Sequence, residues 1–329
     1  MRKSNVLLKT LPVILAALAG CGGGRHETTE VYYLVTANTK IAYWQEAAAG
    51  LNAAAKQLGV RSDLVGPETY DPQAQKQAFD KLVATKPAGI LVSPADPALM
   101  QGSIDAAVEQ GIPVITVDSD SPGSKRLMFI GTNNYEAGQT GADVVAKQLN
   151  GKGNVVVYTI LGQANLQERM DGYRRVFSVY PDIKIVETVD IKGDPVVAFE
   201  STKTILEKTK PQPDAFVCLE ALACEEVAEV MDRNKVTGKT VVAMDTNQGT
   251  LEWIQKGLIA ATIAQKPYTM AYFGLKVLDD LNHYKLPRLD AGLATDTRAP
   301  VPELVDTGVT LITKTNVDAF LKPAGAAGQ

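Results

Sequence analysis

The chain has 329 residues, of which 45% are hydrophobic and 21% are charged. This composition is typical of a globular protein with room for one large domain or two domains of medium size. The formal net charge of -4 and the lack of any Lys/Arg run exclude the positive surface of a nucleic-acid-binding protein, so no nucleic-acid partner is predicted.

The N-terminus carries a targeting pattern that is separate from the fold. A basic start (MRKSNVLLK) precedes the apolar stretch LPVILAALAG, which is too short to span a bilayer. The stretch LAGC resembles a bacterial lipobox, and that resemblance implies removal of residues 1–20 and acylation of Cys21. A plain signal peptide is the alternative. Residues 21–30 are polar and Gly-rich, and we expect them to form a flexible tether.

Beyond the tether, short apolar runs alternate with longer stretches of helical periodicity. Strands are predicted at 31–35, 89–93, 113–117, 127–131, 154–160, 183–189, 215–219, 240–244 and 260–264. Asp71, Asp96 and Asp194 each stand directly before a proline, which is the arrangement of an N-cap and a first helical residue. Further helices are predicted over 44–58 and 166–180.

The predicted strands are apolar along their whole length rather than at alternate positions. This pattern is typical of a sheet that helices cover on both faces. Because strands and helices alternate with short connections, we predict parallel sheets with right-handed crossovers. Two series of about five strand–helix units favour an α/β protein with two doubly wound lobes over one oversized sheet.

Two of these strands end on a carboxylate. Asp118 follows the apolar run of GIPVITVDSDS, and Asp245 follows that of TVVAMDTN. Ligands of doubly wound sheets bind beyond the carboxyl ends of the strands. We therefore predict that each acid stands at the rim of its own lobe and that a ligand lies between them. Thr36 and Ser93 end two further strands and are placed on the same rim.

The folded part of the chain contains two cysteines, Cys218 and Cys224. The targeting pattern places the chain outside the cytosol, where disulfides form. Cys218 is near a strand end and Cys224 lies in the following helix. A disulfide and a pair of buried thiols are therefore both open interpretations.

Several motifs follow one another in a characteristic order. They are LVTANTKIAYW, GILVSPAD, IPVITVDSD, IGTNN, QERMDGY, VVAMDT and AATIAQKP. Together they resemble the periplasmic sugar-binding proteins of the ribose-binding type, which are substrate-binding components of ABC importers. The resemblance runs from about residue 31 to 321. It implies two Rossmann-like lobes, joined by a hinge of three crossing strands, that close on a sugar.

The resemblance also implies where the lobes divide. The first lobe is assigned 31–131 and 267–294, and the second 132–266 and 295–321, with crossings near 131–134, 263–267 and 292–302. Residues 305–320 are expected to add a strand and a closing helix to the second lobe. Residues 322–329 are expected to form a disordered tail.

Carried onto this sequence, the resemblance implies side chains that surround a sugar. Asp118 and Asp245 accept hydrogen bonds from hydroxyl groups, while Arg169 and Gln265 supply donors. Glu220 takes a position where the family often has a polar pair. With the rim residues, the candidate set is Thr36, Tyr43, Trp44, Ser93, Asp118, Ser119, Thr132, Asn134, Arg169, Glu220, Asp245 and Gln265.

These roles have structural alternatives. Each of the two aspartates could be a solvated loop acid, and Asp118 could also cap the next helical turn. Arg169 could form a surface ion pair within its helix. Gln265 could stabilise the hinge without contacting a ligand, and Trp44, at helical spacing, could belong to the core.

An enzyme is the first rival function. The chain has no GxSxG motif, and His26 and His283 are its only histidines. No cluster has the sequence spacing of a metal site. We therefore predict no catalysis, no metal and no cofactor.

The resemblance implies a monosaccharide or related polyol as ligand and an ABC permease of the inner membrane as partner. We predict a monomer in the periplasm or on the outer cell surface, lipid-anchored through Cys21. A receptor that presents a sugar or sugar-derived signal to a chemotaxis or sensor protein is the alternative. Leu219 and the segment 190–194 depart from the family pattern in the pocket wall, which disfavours ribose itself.

Overall fold

A computed structural model of the protein describes residues 26–27, 29–208, 212–284 and 298–321. The predicted signal segment, the acylation site Cys21 and the tail 322–329 lie outside the described residues. Within the described ranges, no helix combines the length and the apolar character that crossing a membrane requires.

The first lobe is built on a six-stranded sheet. Its strands are β1 (Val31–Val35), β2 (Arg61–Val65), β3 (Gly89–Val92), β4 (Val114–Val117), β5 (Phe129–Gly131) and β11 (Leu304–Asp306). They lie in the order β11-β5-β4-β3-β1-β2, and every neighbouring pair is parallel.

The second lobe repeats this plan. Its strands are β6 (Lys152–Thr159), β7 (Asp182–Asp190), β8 (Ala215–Cys218), β9 (Thr240–Met244), β10 (Ala261–Ala264) and β12 (Thr310–Thr313). Their order is β12-β10-β9-β8-β6-β7. All pairs are parallel except β10 with β12, which is antiparallel.

Helices cover both sheets. Those of the first lobe are α1 (Ala42–Leu58), α2 (Pro72–Val83), α3 (Pro97–Glu109) and α9 (Pro267–His283). Those of the second are α4 (Asn134–Gln148), α5 (Ala164–Phe177), α6 (Pro195–Lys208), α7 (Ala223–Arg233) and α8 (Gln248–Lys256). Each lobe has a hydrophobic core of its own, so the fold is the predicted pair of doubly wound α/β lobes.

The helix caps and the burial of the strands agree with the sequence-based prediction. The side chains of Asp71 and Asp96 accept hydrogen bonds from the amides of Ala74 and Leu99, and a proline follows each acid. These contacts satisfy amide groups that the first helical turn leaves unpaired. The strands β3, β4 and β8 are buried at every position, as a sheet with helices on both faces requires.

The end of the chain departs from the predicted lobe boundary. Residues 295–321 were all assigned to the second lobe, whereas β11 lies in the first sheet, parallel to β5. The free edge of β5 offers unpaired backbone groups, and β11 satisfies them. The crossing to the second lobe therefore follows β11, at 307–309, and the predicted segment 292–302 precedes it. At the crossing 307–309, both the amide and the hydroxyl of Thr307 donate to the carbonyl of Gly131.

Three further details differ from the sequence-based prediction. The edge strand β2 was not predicted, because its sequence RSDLV is polar and its side chains are exposed or half-buried. The expected all-parallel sheet is wrong for β12. Residues 305–320 were expected to form a strand and then a closing helix; among the described residues, the helix is reduced to a single 3-10 turn, Val317–Ala319, after β12.

Candidate functional site

The two strand-end acids share an uncommon backbone conformation. Asp118 follows β4 with φ 62°, and Asp245 follows β9 with φ 67°. The amide of Asp118 donates to Ile130 O, and that of Asp245 donates to Ile263 O, so each residue is held by the next strand. A left-handed conformation costs a non-glycine residue roughly 1–2 kcal/mol. Both lobes therefore use the same strained turn to present a carboxylate.

The Asp118 carboxylate is the centre of a hydrogen-bond network that spans both lobes. Tyr43 Oη donates to Asp118 Oδ1 at 2.7 Å, and Ser93 Oγ donates to Oδ2 at 2.9 Å. From the second lobe, Asn165 Nδ2 lies 3.3 Å from the same Oδ2. The carboxylate is buried, with 7% of the residue exposed. The alternative of a solvated loop acid does not fit this environment.

A second network surrounds Arg169 on α5. This residue is only 2% exposed, so it is not the surface ion pair considered above. Its Nε donates to Asn134 Oδ1 at 2.9 Å, one terminal nitrogen donates to Leu219 O at 2.7 Å, and the other donates to Gln265 Oε1 at 2.7 Å. Gln265 Nε2 in turn lies 3.1 Å from Asp245 Oδ1. Arg169 thereby fixes the amide orientation of Gln265 toward Asp245.

These networks line one cleft between the lobes, beyond the carboxyl ends of both sheets. Side chains of both lobes line this cleft, and small-molecule sites occur preferentially at such interfaces between domains. Of the predicted residues, Tyr43, Trp44, Ser93, Asp118, Arg169, Glu220, Asp245 and Gln265 line it. The aromatic pair belongs to both the wall and the core, because Tyr43 and Trp44 are buried at 7% and 9% exposure.

Four predicted residues lie outside the cleft lining: Thr36, Ser119, Thr132 and Asn134. The hydroxyl groups of Thr36, Ser119 and Thr132 are buried and have no hydrogen-bond partner among the described residues. Asn134 begins α4 and accepts from Arg169, so it supports the wall from behind. A residue that neighbours a cleft-lining residue in sequence need not point into the cleft, because the side chains of successive strand residues point to opposite sides.

Several lining residues were not predicted, and four of them are polar: Asn38, Tyr70, Gln163 and Asn165. Gln163 directly precedes α5 and Asn165 is the second residue of that helix, so both follow the carboxyl end of β6 as Asp118 follows that of β4. Extending the strand-end rule to β6 would have found them. Tyr70 comes from the loop before α2, and the sequence around it carries no such signal.

Residues of the two lobes meet across the cleft. Gln163 Nε2 lies 3.2 Å from Tyr70 Oη, and Asn165 contacts Asp118 as described above. Gly193, with φ 73°, faces Tyr70 so closely that an added Cβ would lie 2.5 Å from the Tyr70 Cβ. The lobes are therefore closed over the cleft.

Burial shifts the acids of the cleft toward their neutral forms. Loss of hydration raises the pKa of Asp118 and of Asp245, the latter to about 6, although the nearby Arg169 charge opposes the shift. Burial likewise raises the pKa of Glu220 to about 7. Both oxygens of Glu220 accept from backbone amides, those of Leu222 and Ala223, at the start of α7.

A disulfide joins Cys218 to Cys224. The sequence left this pairing open against two buried thiols. The bond links the end of β8 to the start of α7, and it brackets Leu219 and Glu220. It therefore fixes the segment that supplies both a carbonyl for Arg169 and one wall of the cleft.

The chain matches the family model described as periplasmic binding protein domain over residues 32–284. It is 25% identical over 260 residues to the D-allose-binding periplasmic protein of Escherichia coli, covering 76% of this chain and 83% of that protein.

Solved structures agree in fold. AraP, an arabinose binding protein from Geobacillus stearothermophilus, is 34% identical with a TM-score of 0.72, covering 88% of this chain and 99% of that one. An ABC transporter solute binding protein from Burkholderia graminis, in complex with D-arabinose, is 29% identical with a TM-score of 0.81, covering 90% and 99%. The family match over most of the chain and the shared two-lobe fold lead to one conclusion: the chain belongs to the periplasmic binding protein family.

Proposed function

We propose that this protein is the solute-binding component of an ABC importer and that its cleft holds a monosaccharide or related polyol. The observation that carries the proposal is the convergence of two buried carboxylates, Asp118 and Asp245, from opposite lobes on one closed cleft. The relatives named for D-allose and arabinose support the same class of ligand.

The lining suits a compound with many hydroxyl groups. A hydroxyl group both donates and accepts, so it needs acceptors such as Asp118 and donors such as the amides of Asn38 and Gln163. The rings of Trp44 and Tyr70 offer apolar surface to the C–H face of a sugar. With water removed, each matched hydrogen bond gains strength and each unmatched group becomes costly.

Ligand binding is expected to act through the equilibrium between open and closed lobes. A ligand that contacts both lobes binds the closed form more tightly and shifts the population toward it. The closed form then docks on a membrane permease and releases its ligand there. Members of this family are binding proteins and not enzymes, which agrees with the absence of catalysis that we propose.

The family is extracytoplasmic, and we propose that an acyl group on Cys21 holds this member, a monomer, at the membrane. A receptor role, in which the protein presents its ligand to a sensor protein, stays a prediction. It would use the same fold and the same cleft as the import role. Pull-down of a co-expressed permease, compared with a co-expressed sensor domain, separates the two roles.

A thermal-shift screen over pentoses, hexoses, polyols and cyclitols tests the ligand class. At a ligand concentration about 100-fold above Kd, binding stabilises the fold by about 2.7 kcal/mol, which raises Tm by several degrees. Isothermal titration then measures the affinity of each hit. If no polyhydroxylated compound shifts Tm while amino acids or peptides do, the proposed ligand class is wrong.

A further inference from the structure

The two histidines of the chain, His26 and His283, lie side by side at the base of the first lobe. Their ring centroids are 4.9 Å apart. Together with Glu30 and Asp279 they present ligand atoms that all lie within 4.8 Å of one another. The prediction of no metal was made from sequence spacing, which cannot join His26 to the end of α9. We propose that these four residues form a zinc site.

The distances fit a four-coordinate ion. Ligands about 2.0–2.1 Å from zinc in a tetrahedron are separated by about 3.3–3.4 Å. His26 Nδ1 lies 3.3 Å from Asp279 Oδ1, and His283 Nε2 lies 3.1 Å from Glu30 Oε1. His26 Nδ1 lies 3.9 Å from Glu30 Oε2. Small side-chain adjustments would place one ion between all four groups.

Surrounding groups already orient these ligands. His283 Nδ1 lies 2.8 Å from its partner Asp279 O, so a proton on Nδ1 leaves the Nε2 lone pair directed at the cluster. Tyr32 Oη donates to Asp279 Oδ1 at 3.0 Å. A backbone carbonyl behind a histidine and a donor behind a carboxylate are the usual outer partners of metal ligands.

Two atoms of the cluster lack a hydrogen bond. His26 Nδ1 and Glu30 Oε2 are buried and have no hydrogen-bond partner among the described residues. Ion pairing between imidazolium and carboxylate is the rival explanation. It brings His26 Nδ1 to 3.9 Å from Glu30 Oε2 and to 3.3 Å from Asp279 Oδ1, but it gives neither His26 Nδ1 nor Glu30 Oε2 a hydrogen bond. Two imidazoles with two carboxylates suit zinc better than magnesium or calcium, which prefer oxygen ligands alone.

The site is separate from the cleft, and its position suggests what it does. Glu30 precedes β1 whereas the cleft begins after it, so about 17 Å of strand separates them. His26 and Glu30 belong to the segment that leads out of the tether, and the other two ligands belong to α9. Bound zinc would hold the end of the tether against the first lobe.

Isothermal titration of the chelator-treated protein, purified without a histidine tag, with zinc chloride tests the proposal. We expect one zinc per chain and no comparable binding of magnesium. His283→Ala and His26→Ala should each weaken zinc binding at least about a hundredfold, because loss of a ligand exceeds the effect of losing an outer partner. Cobalt in place of zinc should give the visible absorption of a tetrahedral site.

Asp280→Asn is the matched control, since it removes an exposed acid adjacent to Asp279 on the same helix. This variant should bind zinc as the unmodified protein does. Sugar affinity reports whether each histidine variant is folded, and His26, outside the regular elements, can be replaced with little risk to folding. Absence of zinc binding in the unmodified protein, or unchanged binding in both histidine variants, overturns the site.

Discussion

At the residue scale, Asp118 is the most connected acceptor of the cleft. Its carboxylate holds Tyr43 and Ser93 in its own lobe and contacts Asn165 in the other. Asp118→Ala should weaken sugar binding by about 2–4 kcal/mol, because it leaves buried donors of both protein and ligand without an acceptor. Isothermal titration measures the loss. Asp143→Ala, at an exposed position of α4, is the control, and near-normal affinity of Asp118→Ala would contradict the assigned role.

The shifted pKa of Asp245 predicts how stability depends on pH. Its pKa is raised to about 6 in the fold from an ordinary 3.8, so folding favours the protonated form. The stabilisation is complete below the unfolded pKa, is lost as the pH rises toward about 6, and is absent above it.

Asp245→Asn removes this titration. The loss of unfolding free energy between about pH 4 and pH 7 should be smaller in the variant by roughly 2–3 kcal/mol, the value of a two-unit shift. Urea unfolding of the ligand-free protein at both pH values measures it. Asp143→Asn serves as control, and parallel pH profiles for Asp245→Asn and the unmodified protein would contradict the prediction.

At the scale of elements, each lobe contains one helix pair in close backbone contact through glycine. In the second lobe, a Cβ on Gly138 of α4 would lie 2.1 Å from the carbonyl oxygen of Arg169 on α5. In the first, a Cβ on Gly50 of α1 would lie 2.1 Å from the carbonyl oxygen of Tyr268 on α9. The contact at Gly138 therefore sets the position of Arg169, and with it Gln265.

Gly138→Ala should push α4 and α5 apart and destabilise the fold by about 1–3 kcal/mol, the usual cost of overpacking. It should also weaken sugar binding, since Arg169 moves with its helix. Gly102→Ala in α3 is the matched control, because nothing lies within 4 Å of the new Cβ. That variant should gain roughly 0.5–1 kcal/mol. Equal Tm values for the two variants would contradict the packing argument.

At the scale of the whole molecule, closure brings Gly193 against Tyr70. Gly193→Ala should oppose closure, because its Cβ would overlap Tyr70 only when the lobes meet. We expect weaker sugar binding and a larger radius of gyration in solution scattering with saturating sugar. Gly238→Ala is matched in backbone strain, with φ 74° against 73°, and has open space around its Cβ. If both variants bind sugar equally, the Tyr70–Gly193 contact does not limit closure.

The alternation of strands and helices, the proline-marked helix starts and the two strand-end acids could all be predicted from the sequence. Each depends on residues a few positions apart, so local patterns carry the information. Asp118 and Asp245 were found this way because the carboxyl ends of parallel strands share one edge. Their pKa shifts could not be predicted, since they depend on burial and on Arg169 from a distant segment.

The sequence by itself determined two α/β lobes, a ligand cleft between them and the chemistry of its acids. Only the tertiary structure decided that β11 belongs to the first sheet, that Tyr70 meets Gly193, and that His26 lies beside His283. The physical reason is the separation along the sequence over which each interaction acts. Periodicity and capping act within a few residues, whereas pairing at a free strand edge and convergence of side chains depend on where the folded chain returns.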